Sequence, residues 1–527
     1  MKLSYDGIKD KESWEATGIE VPTYNPEEVA ERTKEHPMWV HFGIGNIFRH
    51  FVGGICDELL EKGLIDRGIN CIETFDYEVV DKIYDPFDNL ALSVTLYADG
   101  RQDKRVIGAF SEAVKSDGSD GSVRRIKEIA GESGLQMMSF TITEKGYLLF
   151  GDEAEKGPWK SAGAMGLITS MLYERFLSGA APLALVSMDN VSKNGEKLRA
   201  SVTEVAKLWT ESGMVEDGFL AYVTDKEKIS FPQTMIDKIT PRPSEMIADE
   251  LEKDGVENMQ PVITSKRTYI APFVNAEHAQ YLVIEDDFPN GRPPLEEGHG
   301  VYMTNAHTVD LSEKMKVTAC LNPVHSATGP LGVVLGYDLY ADMLLEDELV
   351  MKMARMVAYD EGMPMLEDPG IISPKAFADE LFTERFVNRY LGDTNLRLCT
   401  DTSMGVGVRF GHTIKAYADK YGSAERLVAI PFGIAGWLRY LMGVDDNCNS
   451  YTLAPDPMAE KINGLLSDIR IGDTNTYKGQ LRSILSDEEM FAADLYEAGI
   501  ADKIEKMFCE MIADTGAVRE SLERYMG

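Results

Sequence analysis

Between residues 38 and 188, short apolar runs alternate with glycine turns and amphipathic stretches, the order expected of parallel strands joined by helices. Met38-Trp-Val-His-Phe42 reads as a strand, Gly43-Ile-Gly45-Asn46 as a turn, and the apolar-periodic stretch from Phe48 to Leu60 as a helix. Asn70-Cys-Ile-Glu-Thr-Phe-Asp76 predicts a second strand, and Leu92–Tyr97, Gln136–Thr143 and Pro182–Met188 predict three more. Beyond residue 300 the period changes. Long amphipathic stretches dominate there, at Asp338–Glu361, Pro374–Tyr390, Ala424–Met442 and Asp487–Glu510, and predict helices.

A chain of 527 residues exceeds what one core fills, about 250 to 300 residues, so two domains are expected. The pattern makes them an α/β chain: an N-terminal Rossmann-type doubly wound domain over residues 1–300 and a mainly α-helical domain over 301–527. A hydrophobic fraction of 44% with no run near the roughly 18 apolar residues of a membrane span points to a globular, non-membrane protein. The opening Met-Lys-Leu-Ser-Tyr-Asp-Gly lacks an apolar leader, which makes a cytoplasmic location the expectation.

The net charge of −34 repels phosphate backbones and anionic membranes, so nucleic acid is excluded as an expected partner. Any anionic ligand must instead be held by a local group of arginines, lysines or helix N-termini. Six cysteines without a CxxC pair and eight histidines without an HExxH pattern predict reduced thiols and no metal. The expected partner is a small molecule, and the expected assembly a monomer or small homo-oligomer.

Glycines 43 and 45 between a strand and a helix would let the backbone approach a pyrophosphate, whose charge the helix N-terminus favours. The third glycine of the usual fingerprint is missing, since Phe48 stands there. Arg49, on the first turns of the helix, is placed to contact a phosphate; a surface ion pair is its alternative. Asp76, at the end of the second strand, is the candidate acceptor for an adenosine ribose, with Glu73 competing. An acid there opposes a 2′-phosphate and favours NAD over NADP. Two polar clusters, Thr143-Glu144-Lys-Gly-Tyr147 and Asp189-Asn190 through Asn194-Gly195, fall where strands end and ligands gather. A glycine turn and a helix cap are their structural alternatives.

The residues Glu313-Lys-Met-Lys316-Val-Thr-Ala-Cys-Leu-Asn322-Pro323-Val-His325 bring together an amine, an amide and an imidazole. Lys316 can take a hydroxyl proton if burial favours its neutral form, Asn322 can donate to a developing alkoxide, and His325 can orient the oxygen. Pro323 disfavours a helical residue before it, so Asn322 is expected to cap a new helix.

These motifs, together with Phe231-Pro232, Asp237–Pro241, Glu285–Pro293, Asp393-Thr-Asn-Leu-Arg397 and Trp437–Tyr440, occur in an order that resembles the polyol-specific long-chain dehydrogenases, the mannitol dehydrogenase family. The resemblance covers most of the chain. It implies a zinc-independent, NAD(P)-dependent oxidoreductase acting on sugar polyols or aldonates and their keto partners. It further implies Lys316 as general base, Asn190 and Asn322 as groups polarising the reacting oxygen, and Glu313 as an aid to proton passage. His325, Arg397 and Asn194 become the substrate group, and Gly43, Gly45, Asn46, Arg49, Asp76 and Glu144 the cofactor group.

Two positions depart from the family pattern: five residues rather than four separate Lys316 from Asn322, and Gly405 stands where a lysine is common. The forms of the 39–49 and 320–325 stretches resemble the hexuronate-using members. With Arg385, Arg389 and Arg397 as a possible carboxylate anchor, the expected pair is D-mannonate and D-fructuronate. The alternatives are a mannitol/fructose enzyme and a nucleotide-binding sensor without turnover.

Overall fold

The computed structural model describes residues 1–161 and 163–527, which divide into two units, Met1–Asp310 and Leu311–Gly527. In the first, β1 (Trp39–Phe42), β2 (Ile69–Glu73), β3 (Phe110–Lys115), β4 (Met137–Phe140), β5 (Leu183–Ser187) and β6 (Ile229–Ser230) form one parallel sheet. Their order is 3-2-1-4-5-6. Both faces are covered, and the strand pleat sorts side chains between them. Trp39, Cys71, Met137 and Val186 enter one core, whereas Val40, Phe42, Ile72, Phe140 and Leu185 enter the other. Strands sealed on both sides read as continuous apolar runs, which is why β1, β4 and β5 are legible in the sequence.

Two strands break that rule. The apolar run at Leu92 belongs to a separate sheet, where Ala91–Leu96 pairs with Gln102–Ile107 and Phe273–Glu277. The third strand of the parallel sheet is instead Phe110–Lys115, whose Ser111, Glu112 and Lys115 hide it from an apolar search. It lies at the sheet edge, so its outer half remains partly solvated.

The second unit is helical. The chain runs through α1 (Ala306–Met315), a π turn over Lys316–Cys320, and α2 (Asn322–Val334). α2 packs against α3 (Ala429–Tyr440) at unusually close range. A Cβ on Gly433 would lie 2.7 Å from the Ala327 methyl, and one on Gly436 2.5 Å from Leu331. The N-terminus of α3 is not capped by its own sequence. Instead, the buried Glu361 carboxylate accepts from the N–H groups of Val428, Ala429 and Ile430 at 2.5–2.8 Å.

The predicted helices are shorter than their periodicity. Asp347 accepts from the N–H groups of Leu349 and Val350 and starts a new helix inside 338–361. Ala492 takes a left-handed conformation (φ 57°) and ends the first helix within 487–510. Among the described residues no helix is long and apolar enough to cross a membrane.

Candidate active site

The strand order of the parallel sheet reverses between β1 and β4, and ligands of such sheets bind beyond the strand ends at that point. Gly43 follows β1 with φ +84°; a Cβ there would stand 2.2 Å from the Thr141 carbonyl oxygen. Gly45 differs, because a Cβ on it would meet no atom within 4 Å. Gly43 is therefore required by the packing of two strand ends, and Gly45 leaves open the close backbone approach that a pyrophosphate needs.

Beside this turn, the carboxyl ends of β2 and β3 border a cavity of about 360 Å³ lined by Thr74, Tyr77, Ser116, Asp117, Trp159 and Lys160, among others. Its position is that of the adenosine half of a dinucleotide on this fold. Thr74 and Ser116 directly follow β2 and β3, positions the apolar pattern did not mark because it ran the first of these strands on to Asp76 and missed the second; Trp159 and Lys160 arrive from a distant loop.

Arg49 is not at the surface. It is buried, donates to the Ala271 carbonyl oxygen at 2.7 Å and to Asn46 Oδ1 at 2.9 Å, and burial pulls its pKa down to about 10. Both Asn46 and Arg49 thus fasten the glycine turn to the body of the unit. Asp76 is likewise engaged: Oδ2 accepts from Thr264 Oγ1 at 2.6 Å and Thr268 Oγ1 at 2.5 Å. The strand-end acid Glu73 folds the following loop by accepting from the N–H groups of Phe75 and Asp76, and burial raises its pKa. Glu144 is exposed and pairs with Lys197 at 3.1 Å.

At the end of β5, the Asp189 carboxylate accepts from the N–H groups of Ile142 and Thr143 and from the Tyr147 hydroxyl. It pins the 141–147 turn, in which Thr143 holds φ +62°, rather than capping the helix Asn194–Glu211. Asn194 is fully buried. Its amide donates to Thr234 Oγ1 and to the Asp189 and Thr234 carbonyl oxygens, and its Oδ1 accepts from the Thr234 N–H. The amide nitrogen and oxygen of this side chain are both engaged by protein groups. Asn194→Ala is expected to lower stability by about 1–3 kcal/mol, the cost of orphaned buried partners, and to leave the sugar KM within about twofold. Thermal denaturation and initial-rate kinetics check both halves. Asn190, four residues earlier, is exposed at the strand end.

In the helical unit, Lys316 is 3% exposed and opens the π turn. The turn closes through a five-residue bond from the Leu321 N–H to the Lys316 carbonyl oxygen, 3.1 Å. Asn322 is the first residue of α2 and Leu321 occupies the capping position, contrary to the expected Asn322 cap. Its amide is therefore not spent on the backbone. His325, one turn on, lies between the rings of Tyr340 (4.9 Å) and Phe386 (5.0 Å). Burial, reinforced by the charges of Arg385, Arg397 and Arg409, lowers its pKa to about 3 and keeps the imidazole neutral. Glu313 is half-buried one turn before Lys316.

The arginines separate sharply. Arg389 pairs with Asp342 and Glu346, and Arg397 with Asp393, both at the surface. Arg385 is buried, and its charge acts on His325. Arg409, absent from the sequence-based candidates, donates to Ser326 Oγ beside His325 at 2.8 Å.

The sequence pattern of the mannitol dehydrogenase Rossmann domain matches residues 37–297, and that of the mannitol dehydrogenase C-terminal domain matches residues 308–512. The chain belongs to the mannitol dehydrogenase family. A D-mannonate oxidoreductase of Thermotoga maritima is 47% identical, with 100% of this chain and 99% of the relative aligned. A mannitol 2-dehydrogenase of Phaeosphaeria nodorum is 26% identical over 93% of this chain and 82% of its own. Among solved structures, the Pseudomonas fluorescens mannitol 2-dehydrogenase in ternary complex with NAD and D-mannitol superposes with a TM-score of 0.73 at 24% identity, covering 99% of both chains. A substrate-free D-sorbitol dehydrogenase gives 0.76 at 22% identity, covering 97% of this chain and 98% of its own.

Within the mannitol dehydrogenase family, the extra residue between Lys316 and Asn322 now has a structural account. A π turn absorbs one residue relative to an α-helix, so the rotation of about 100° that an insertion would cause is cancelled in place. It does so upstream of Pro323, not at it. Of the two departures that motivated the alternative of a sensor without turnover, the longer spacing and Gly405, the π turn accounts for the first.

Proposed function

We propose that the chain is an NAD-dependent oxidoreductase interconverting D-mannonate and D-fructuronate, with Lys316 carrying the proton. The observation that carries this reading is the end-to-end similarity, 47% identity, to a protein named D-mannonate oxidoreductase. Bound over Gly45, with its adenosine half toward the 360 Å³ cavity, the nicotinamide cofactor would accept or return the hydride. Asp117 in that cavity opposes a 2′-phosphate and supports NAD over NADP; Lys160 is a cation in the same lining.

The residues of the chain handle the other half of the chemistry. In oxidation the hydroxyl proton passes to Lys316 Nζ as the carbonyl forms, and in reduction it returns by the same route. Asn322 and Asn190 stabilise the oxygen in its alkoxide-like state. The neutral His325 offers one donor and one acceptor to sugar hydroxyls without adding a charge that would compete with the lysine. Glu313, one turn from Lys316 and half-exposed, provides the exit toward solvent.

Initial rates with NAD on a panel of aldonates and polyols test the substrate. Mannonate is expected to exceed mannitol in kcat/KM by at least about tenfold, the discrimination a single well-placed charged contact supplies. Equal or better turnover of mannitol would overturn the assignment.

A further inference from the structure

We infer that Arg409 recognises the carboxylate of the sugar acid and is the residue that separates acidic from neutral substrates; the inference rests on the mannonate reading above. In a chain carrying a net charge of −34, an anionic ligand needs a cation that the chain's own acids have not neutralised. Among the described residues no carboxylate lies within 4.0 Å of Arg409, whereas Arg389 and Arg397 are both neutralised by acids. The only described partner of Arg409 is the Ser326 hydroxyl, which takes Nη1. Nε and Nη2, the two donors of one guanidinium edge, donate to no described residue. That edge matches the spacing of two carboxylate oxygens, and a paired contact of this kind is among the strongest polar interactions available.

The local structure keeps the edge in place. Residues Gly407–Gly411 form a π turn that packs against both Lys316–Cys320 and Asn322–Val334, so Arg409 departs from a backbone seated on the two segments that carry Lys316, Asn322 and His325. Ser326, the hydroxyl it grips, is the immediate neighbour of His325. Beneath the guanidinium lies Gly405. A Cβ at 405 would stand 2.5 Å from Nε and 2.6 Å from Cζ, so any side chain there would displace the group. The glycine that departs from the family pattern is thus what makes room for this arginine. Burial disfavours the charged guanidinium and lowers its pKa; the exposed Asp401, acting from beyond pairing distance, offsets this only in part. An anionic ligand would supply the missing compensation.

Steady-state kinetics of the full chain with NAD, on mannonate and mannitol, test the assignment. Arg409→Gln is expected to raise the mannonate KM by about 30- to 300-fold, with kcat within about fivefold and NADH affinity unchanged. Its kcat/KM on mannitol should stay within about threefold of wild type. Arg409→Lys is expected to recover part of the loss, because an ammonium keeps the charge but not the paired geometry. Should Arg409→Gln fail to fold, Gly405→Ala provides the second variant: it adds one methyl under the guanidinium and is expected to raise the mannonate KM by about tenfold. A mannonate KM unmoved in Arg409→Gln, or equal losses on both substrates, would overturn the role of Arg409 while leaving the sugar-acid reading intact. A wild type that favours mannitol overturns both.

Discussion

Replacing Lys316 by alanine lowers kcat on the sugar substrate by about 10³-fold or more while NADH affinity stays within about threefold of wild type. The size follows from the task. A positioned acid–base group contributes about 10²- to 10⁴-fold, and in this segment the neighbouring side chains are an amide and a neutral imidazole, neither of which takes up a hydroxyl proton at neutral pH. The selectivity follows from location. Lys316 sits on the π turn of the helical unit, whereas Gly43, Gly45 and the 360 Å³ cavity belong to the parallel-sheet unit, so removing the amine leaves the nucleotide-binding features untouched. Stopped-flow hydride transfer and NADH fluorescence titration separate the two quantities. Residual kcat within tenfold of wild type would remove Lys316 from the chemistry, and a parallel loss of NADH binding would point to misfolding.

Glu361→Ala destabilises the helical unit by about 3–5 kcal/mol, seen as a fall in Tm of about 6–15 °C for a unit of this size. Three N–H groups at the start of α3 lose their only cap, and α3 is the helix whose Gly433 and Gly436 lie hard against α2. Loosening α3 therefore disturbs the helix that begins with Asn322 and His325. Glu361→Gln, which keeps one carbonyl acceptor, should cost about half as much. The pH dependence has a definite sign. Burial raises the folded pKa of Glu361 above its unfolded value, so protonation adds stability that is fully present below the unfolded pKa and lost as pH rises through the folded one. Denaturant midpoints measured from pH 4 upward should show this decline in wild type and lack it in Glu361→Gln.

Much of the site was legible because its signals are local. Lys316, Asn322 and His325 lie within ten residues, and Gly43 betrays itself through the turn between a strand and a helix. Even the unusual spacing before Asn322 was visible, though its resolution by a π turn rather than by Pro323 was not. Where the structure adds to the sequence reading, the additions share a cause. Arg49, Asp76 and Asn194 were expected at ligands because they are polar and stand at strand ends or on the first turns of the helices that follow. Each proves to be held by protein groups far along the chain: Ala271 lies 222 residues from Arg49, Thr264 lies 188 from Asp76, and Thr234 lies 40 from Asn194. The reverse holds for Arg409, which looks like any helical surface arginine until Gly405 and Ser326 are seen beside it.

The sequence by itself determined the two-unit plan, the strands sealed on both faces, the glycine turn and the amine–amide–imidazole segment, because periodicity and short spacings translate directly into local backbone geometry. Only the tertiary structure decided which polar groups are already satisfied and which remain available to a ligand. That distinction depends on the partners each group meets after folding, and for Glu361, Asn194 and Arg409 alike those partners come from distant segments brought together by the packing of the core.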